Sequence, residues 1–200
     1  METIITKEEL SKFKKIKGEV TGDCIKNDLD FILKKEGEEG LKRVEMVMGK
    51  LGFPIDRAKL KLTDIYPLSF PVTLIVVVKR LFNYNKKDLE NMGRMEAKIS
   101  STIIRLFMKY FVSFDMLANN AQKMWEEHYK IGNLRVIDHS RNKGYVHFRI
   151  ENFKAHVFIC HVLGGYFAGL LEMIVGKKVT VEEVKCEHRG DAYHELHLTW

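Results

Sequence analysis

The hydrophobic periodicity of the chain changes at Gly132, and this change constrains the fold more than any other feature of the sequence. Before Gly132, apolar residues recur every three to four positions, which is the period of amphipathic helices. After it, two segments, 134–139 and 145–150, flank a loop containing Asn and Gly, and apolar and polar side chains alternate along the second segment. We therefore expect helices first and a β-hairpin immediately after Gly132.

Helix start and stop signals divide the first part of the chain into several predicted helices. Residues 1–17 are a charged arm or short helix, and Gly52-Phe53-Pro54 is a stop signal further along the chain. The predicted helices run from a cap at Thr21 or Asp23 to about residue 35, over 41–51, from Pro71 to about 82, over 86–99, and from a cap at Ser100 or Ser101 to about 128.

After the first hairpin come one long apolar segment and a second alternating pair. Residues 155–175 are mostly apolar, which is typical of a buried helix. Residues 179–187 and 193–200 flank the turn Arg189-Gly190-Asp191-Ala192 and predict another hairpin. The predicted fold class is α+β: a helical N-terminal half, then a β-hairpin, a long buried helix and a second β-hairpin, packed as a small antiparallel sheet. We expect residues 18–200 to form a single domain.

The net charge of +6 and the cysteine content argue against several classes of protein. Lysines alternate with glutamates along the predicted helices, so the basic excess indicates solvated helix faces and no nucleic-acid partner. Three irregularly spaced cysteines do not make a disulfide framework, and residues 1–17 lack the apolar segment of a signal peptide, so we expect a cytoplasmic protein. The apolar stretches 68–78 and 157–175 are interpreted as core segments and not as membrane spans, because the first is short and His161 and Glu172 interrupt the second.

Residues with metal-ligand chemistry gather in the final quarter of the chain, which is its one acidic quarter and holds five of the eight histidines. Cys186 and His194 lie on the two arms of the predicted last hairpin, and Cys160 lies in the helix that packs on it. With Glu183 they make a four-ligand set for Zn²⁺, which binds thiolate, imidazole and carboxylate groups tetrahedrally. The alternative interpretation is a pair of buried thiols beside a hydrogen-bonded core histidine.

Strand geometry sets a condition on this metal site. Glu183 and Cys186 are an odd number of residues apart, so in a regular strand they face opposite sides of the sheet. A bulge or turn between them is required if both are to bind one ion. Glu182 and Glu187 remain alternative carboxylate ligands.

Three motifs carry a resemblance to a known family: Gly165-Tyr166-Phe167, the step Glu183-x-x-Cys186, and Gly190-Asp191-Ala192-Tyr193-His194-Glu195-Leu196. They resemble the C-terminal signature of the 4-vinyl-reductase domain family, which has a helix cysteine, then Glu-x-x-Cys, then Gly-Asp-x-x-Cys. The specific resemblance covers about residues 155–200. The family is related in fold to haem nitric-oxide-binding domains and to subunits of vesicle-tethering complexes. Its members include predicted hydrocarbon-binding proteins and aromatic-responsive sensor modules.

The resemblance implies a structural zinc ion, which sensor members hold through the helix cysteine, the glutamate and both hairpin cysteines. Carried over position by position, the implied metal ligands are Cys160, Glu183, Cys186 and His194. This chain departs from the family at His194, where cysteine is common, but imidazole is an accepted zinc ligand. The expected cofactor is therefore zinc, and the expected assembly is a homodimer.

The resemblance also implies an apolar pocket for a small hydrophobic molecule between the helical half and the first hairpin. Trp125 and Tyr166 are the first candidates for its wall, because their rings both pack and hydrogen-bond. His128 or His147 would orient the ligand. An aromatic stripe of this kind more often belongs to an ordinary core than to a pocket. The residues available for the walls are Phe107, Phe111, Phe114, Met116, Trp125, Tyr129, Phe148, Phe158, Tyr166 and Phe167.

Haem is disfavoured, because residues 1–127 contain no histidine for axial ligation and the chain has no Tyr-x-Ser-x-Arg propionate motif. Three classes of function remain open. The first, which we expect, is the binding or sensing of a hydrophobic small molecule, with zinc as a structural link and no catalytic residue assigned. The second is a zinc enzyme in which Glu183 leaves an open position and Glu182 or Asp191 acts as the base. The third is a dimeric scaffold or tethering subunit.

Overall fold

The structure is a computed structural model that describes residues 4–99 and 114–200, with side chains in the second range described from residue 118 onward. The predicted caps at Ser100 and Ser101 lie outside these residues. The elements are α1 (Lys7–Lys14), β1 (Glu19–Thr21), α2 (Gly22–Lys50), β2 (Ile65–Pro67), α3 (Ser69–Leu81), α4 (Lys86–Ile99), α5 (Phe114–His128), β3 (Asn133–Ser140), β4 (Tyr145–Glu151), α6 (Val157–Val175), β5 (Thr180–Lys185) and β6 (His194–Thr199). The α+β class predicted from the periodicity is confirmed.

The two helices predicted before Gly52 both lie within α2 and meet at a non-helical kink at Gly37. This glycine has φ 71° and ψ −178°, a non-helical conformation that a residue with a side chain rarely adopts. The kink lets the first and second parts of α2 bury different apolar faces against the core. Ile25, Leu29 and Ile32 are buried before it, and Leu41, Val44 and Met48 after it.

The four-stranded sheet positions the candidate site. Its order is β3-β4-β6-β5, and every neighbouring pair is antiparallel. Alternate residues of β4 and β6, among them Phe148 and Leu196, are buried on one face, as the period of 2 requires. Helix α6 covers this face, and the ring of Phe167 stacks on Phe148 with a centroid distance of 4.8 Å.

Helices α4 and α6 cross at very short range through glycines. A Cβ atom on Gly165 would lie 1.9 Å from the backbone oxygen of Glu90, and one on Gly93 would lie 1.9 Å from the backbone oxygen of Val162. Such distances are far inside van der Waals contact, so only glycine allows the two backbones to approach this closely. Close helix packing therefore explains glycine inside α6 without a phosphate-binding role.

The short sheet formed by β1 and β2 is not predicted by the sequence analysis. Its strands are only three residues long, too short for an alternation pattern to register. Val20 is fully buried, and the carbonyl of Glu19 accepts a hydrogen bond from the backbone of Lys130 at 2.9 Å. Through this hydrogen bond, the strand that precedes α2 is connected to the chain that follows α5.

Helix α6 is long and apolar enough by length and composition to cross a membrane, with a mean hydropathy of 1.7 in its most apolar window. Of that window, 61% is buried within the fold, where α6 packs between α4 and the sheet. Its burial supports the interpretation of this segment as a core helix.

Candidate metal centre and ligand cavity

Four side chains from three different parts of the last quarter meet at one point. Cys160 comes from α6, Glu183 from β5, Cys186 from the turn after β5, and His194 from the start of β6. One potential ligand atom from each lies within 4.8 Å of the others. Cys160, Cys186 and His194 are buried. The structure therefore brings together the same four residues that the sequence analysis selected.

An irregularity in β5 allows Glu183 and Cys186 to face the same point. The pairing of β5 with β6 shifts in register between Glu183 and Lys185. Beyond it, a 3₁₀ turn at Glu187–Arg189 begins immediately after Cys186 and ends at Gly190, whose φ is 96°. The backbone N–H of Cys186 donates to Asp191 Oδ2 at 2.8 Å, which fixes the turn. The structure thus meets the geometric condition that strand parity imposes.

The ring of His194 is oriented so that one nitrogen faces the cluster. Its Nε2 lies 3.0 Å from the backbone oxygen of Phe153, and a carbonyl can only accept, so Nε2 carries the proton and donates. Nδ1 then faces the cluster, 3.6 Å from Cys160 Sγ and 3.3 Å from Glu183 Oε1. A metal-binding histidine typically donates its other N–H in this way, which fixes the tautomer.

The electrostatics of the cluster favour a bound cation. Burial raises the pKa of the Cys160 thiol, with the carboxylate of Glu183 adding to the effect, and burial also raises the pKa of Cys186. Burial acts to raise the pKa of Glu183 as well, but hydrogen bonds with His194 and Cys186 hold it below its ordinary value. The thiols therefore ionise only when a bound cation compensates the negative charge of the thiolates. Two thiolates, one imidazole and one carboxylate form a set of donors that could hold a metal ion.

Residues 154–199 match the family model of the 4-vinyl-reductase domain. This part of the chain, named the C-terminal segment below, contains all four residues of the cluster, together with α6 and the last hairpin. No curated protein matches the chain.

Solved structures of H-NOX domains share the fold of nearly the whole chain. An H-NOX protein from S. oneidensis in the Fe(II)NO state is 12% identical, with a TM-score of 0.69 over 89% of this chain and 97% of that chain. A mutant H-NOX protein from T. tengcongensis is 15% identical, with a TM-score of 0.61 over 90% of this chain and 96% of that chain. An unliganded Fe(II) H-NOX protein from K. algicida is 12% identical, with a TM-score of 0.62 over 90% of this chain and 95% of that chain. These likenesses establish the fold alone.

A largely apolar cavity lies between the helices and the C-terminal segment. The cavity has a volume of about 80 Å³. The described residues that line it are Cys24, Asn27, Asp28, Leu68, Pro71, Ile75, Glu96, Ala121, Met124, Trp125, His128, Tyr129, Leu134, Phe148, Ile159, Val162, Leu163, Tyr166, Phe167 and Leu170.

Four of the six predicted pocket residues, Trp125, His128, Tyr129 and Tyr166, line this cavity. His147 does not, because the alternation of β4 directs it to the opposite face of the sheet, where its ring stacks on His197 at 3.6 Å. The sixth, Phe111, lies outside the described residues, as do Phe107 and the side chains of Phe114 and Met116. Of the remaining candidates for the walls, Phe148 and Phe167 line the cavity and Phe158 packs on His156 instead.

The hydrogen-bonding capacity that made Trp125 a first candidate is already used within the fold. Its indole N–H donates to the backbone oxygen of Ile131 at 2.8 Å. Its ring stacks on Tyr129 with a centroid distance of 4.4 Å. Trp125 therefore offers the cavity an apolar surface, and a polar group of a ligand must find its partner elsewhere.

A pair of buried acids, missed by the sequence analysis, forms one wall of the cavity. Asp28 on α2 is 3% exposed and Glu96 on α4 is 8% exposed. Their carboxyl groups hydrogen-bond to each other, so the pair retains a proton. Burial raises the pKa of both groups, that of Glu96 to about 7. The available sequence signal is that each acid follows an apolar residue by three or four positions on a buried helix face.

Replacing Glu96 should change how stability depends on pH. A carboxyl group whose pKa is raised by folding contributes most below its unfolded pKa, and that contribution is lost as the pH rises toward the folded value. For Glu96 the loss between pH 4.5 and about 7 is of the order of 3 kcal/mol. We expect Glu96→Gln to gain stability relative to the unmodified protein between pH 5 and pH 8 in urea unfolding. Equal pH slopes for both proteins would contradict this, and Glu90→Gln on the same helix is the control.

The described lining of the cavity does not fit haem. Haem needs an axial ligand, and its propionates are best held by cationic side chains. Among the described lining residues the one histidine is His128, whose Nδ1 lies 3.8 Å from Asp23 Oδ2, and none is lysine or arginine. Asp28 and Glu96 would instead present carboxyl groups to the anionic propionates.

The two residues considered as bases for a zinc enzyme are placed for other roles. Glu182 is exposed and pairs in register with His197. It is the neighbour of Glu183 on β5, so its side chain is on the opposite face of the sheet. Asp191 accepts the hydrogen bond from the backbone of Cys186 that fixes the turn. Neither arrangement favours proton transfer at the cluster.

Proposed function

We propose that this protein binds or senses a small hydrophobic molecule in the cavity between its helices and its C-terminal segment. The observation that carries the proposal is the cavity itself, lined mainly by apolar and aromatic side chains, with a few polar groups gathered among them. The match to the 4-vinyl-reductase domain and the H-NOX fold support a small-molecule binding domain.

Zinc is proposed as a structural ion that joins α6 to the last hairpin. Cys160, Glu183, Cys186 and His194 would hold it, and these four donors complete its coordination without leaving a position for substrate. Bound zinc would keep both thiols ionised and would link the helix under the cavity to β5 and β6. A closed site of this kind supports binding over catalysis.

The cellular setting and the assembly are further parts of the proposal. The three cysteines are free thiols, which fits a reducing compartment such as the cytoplasm. A homodimer is carried over from the family resemblance, and light scattering of the purified protein measures it.

Binding can be tested with N-phenyl-1-naphthylamine, an apolar dye that fluoresces when it leaves water. We expect saturable binding with a dissociation constant in the micromolar range, about −8 kcal/mol, since the cavity lining is mainly apolar and aromatic. Ala121→Phe, which places a ring into the cavity from α5, should weaken binding about tenfold or more. Ala58→Phe, on an exposed turn, is the matched control. Absence of saturable binding, or equal binding by both variants, would contradict the proposal.

A further inference from the structure

The metal centre and the cavity both depend on one buried residue, Phe153, in the connection between β4 and α6. Phe153 is 1% exposed. Its backbone oxygen accepts the hydrogen bond from His194 Nε2 at 3.0 Å, and this bond directs His194 Nδ1 toward the cluster. With Cys160 and Glu183 it also lines a small void of about 10 Å³ beside the cluster. The position of Phe153 therefore affects the geometry of the metal ligands.

The ring of Phe153 supports the wall of the cavity. It meets the rings of Trp125 and Tyr129 edge to face, with centroid distances of 4.9 and 5.3 Å. These two rings stack on each other and line the cavity. A Cβ atom on Gly132 would lie only 3.0 Å from the Cβ atom of Phe153, so the chain after α5 leaves Phe153 little room to move. A ligand that contacts Trp125 or Tyr129 therefore also restricts Phe153.

Helix α6 forms a second link, because residues of one helical turn belong to both sites. Cys160 is part of the metal cluster, whereas Ile159 and Leu163 line the cavity. Leu163 also lines the small void beside the cluster. The backbone hydrogen bonds of the helix hold these residues at a fixed spacing, so a ligand that fixes Ile159 and Leu163 also restricts Cys160.

We propose that the metal centre and the cavity are coupled through Phe153, so that a metal ion and an apolar ligand each bind more tightly when the other is bound. Each partner restricts the same buried residue, and the entropy lost in that restriction counts only once when both are bound. Such coupling is reciprocal: each partner raises the affinity for the other by the same factor. This inference rests on the proposed function, because it assigns a regulation to the same cavity and the same metal centre.

The test measures the affinity for each partner with and without the other, on the full-length protein. N-phenyl-1-naphthylamine is titrated into zinc-loaded protein and into chelator-treated protein whose fold is checked by circular dichroism. We expect the dye to bind the zinc-loaded form about fivefold more tightly, or more, as is usual for coupling between sites. Competition with a zinc chelator of known affinity should give the same factor for zinc when the dye is saturating.

Cobalt provides a readout that does not require metal-free protein. Co²⁺ binds the same kinds of ligand as Zn²⁺, and its visible absorption bands report the geometry of those ligands. We expect saturating dye to shift these bands, because Phe153 connects the cavity wall to His194. Equal dye affinity for the zinc-loaded and metal-free forms would overturn the coupling. If the metal-free form does not fold, unchanged cobalt bands at saturating dye would overturn it.

Variants assign the coupling to the ring of Phe153. Phe153→Leu keeps the backbone oxygen that orients His194 but loses the edge-to-face ring contacts, so it should bind zinc and dye with the coupling factor reduced toward one. Phe53→Leu removes a buried ring that packs on Phe70 and belongs to neither site, so it should keep the full factor. Equal coupling in the two variants would contradict the role of Phe153. A protein that binds no metal or no dye would contradict the proposed function, whereas binding of both without mutual effect would overturn the coupling alone.

Discussion

Cys186→Ser should lose most of its zinc and unfold at a lower temperature than the unmodified protein. The serine hydroxyl is a poor zinc ligand at neutral pH. Without the Cys186 thiolate, the remaining ligands Cys160, Glu183 and His194 are an incomplete set. Because the ion would join α6 to the last hairpin, its binding free energy contributes directly to the stability of the fold. We expect about one zinc ion per chain in the unmodified protein, and the substitution should lower the free energy of unfolding by about 3–5 kcal/mol, or the melting temperature by roughly 6–20 °C.

A chelator separates loss of the metal from loss of packing. Treating the unmodified protein with a strong zinc chelator should lower its melting temperature by an amount similar to the substitution, and the chelator should have little further effect on Cys186→Ser. Elemental analysis by mass spectrometry gives the zinc content in each case. Cys24→Ser is the matched cysteine control, since Cys24 lies away from the cluster on α2. Purified protein that contains no zinc and melts unchanged in the variant would contradict the proposed metal site.

The carboxylate ligand has an equally close control in the neighbouring residue. Glu183 lies with Cys160 and His194, whereas Glu182 is exposed and paired with His197. Glu183→Gln should therefore reduce zinc content, and Glu182→Gln should leave it unchanged. If Glu182→Gln were the variant that lost zinc, the register shift in β5 would not be what directs Glu183 toward the cluster.

Local periodicity predicted the long elements of the fold because each of them buries one face along its whole length. The predicted helix over 86–99 coincides with α4, and the predicted hairpin segments overlap all four strands of the main sheet. The strands β1 and β2 were not predicted, because three residues are too few to show an alternation of apolar and polar side chains. Their pairing depends on contacts between residues more than 40 positions apart, such as Val20 with Tyr66.

The two parts of the candidate site differed in how far the sequence could predict them. Cysteine and histidine in a short hairpin are unusual enough that their residue types indicate a ligand set, and Cys160 joined that set because its helix was expected to pack on the hairpin. The register shift that turns Glu183 toward Cys186 is visible only in the strand pairing. Asp28 and Glu96 could not be predicted as a pair, because nothing local to either acid indicates the other, and helices α2 and α4 bring them together.

Gly165→Ala should be among the most destabilising single substitutions in this protein, although alanine is the better helix former. The added Cβ atom would lie 1.9 Å from the backbone oxygen of Glu90 and 2.6 Å from its carbonyl carbon, so α4 and α6 must separate. Backbone atoms cannot rotate away as a flexible side chain can, and overpacking of this kind costs about 3 kcal/mol or more. We expect the melting temperature to fall by roughly 6–12 °C.

The adjacent glycine, Gly164, provides the control, because alanine there should not lower the stability. A Cβ atom on Gly164 meets Val181 Cγ2 at 3.4 Å, an ordinary contact, and alanine favours a helix over glycine by about 1 kcal/mol. Gly164→Ala should therefore be neutral or slightly stabilising in the same thermal unfolding experiment. Equal melting temperatures for the two variants would contradict the close crossing of α4 and α6. Because α4 carries Glu96 and α6 carries Tyr166, Gly165→Ala should also weaken dye binding, which Gly164→Ala should leave unchanged.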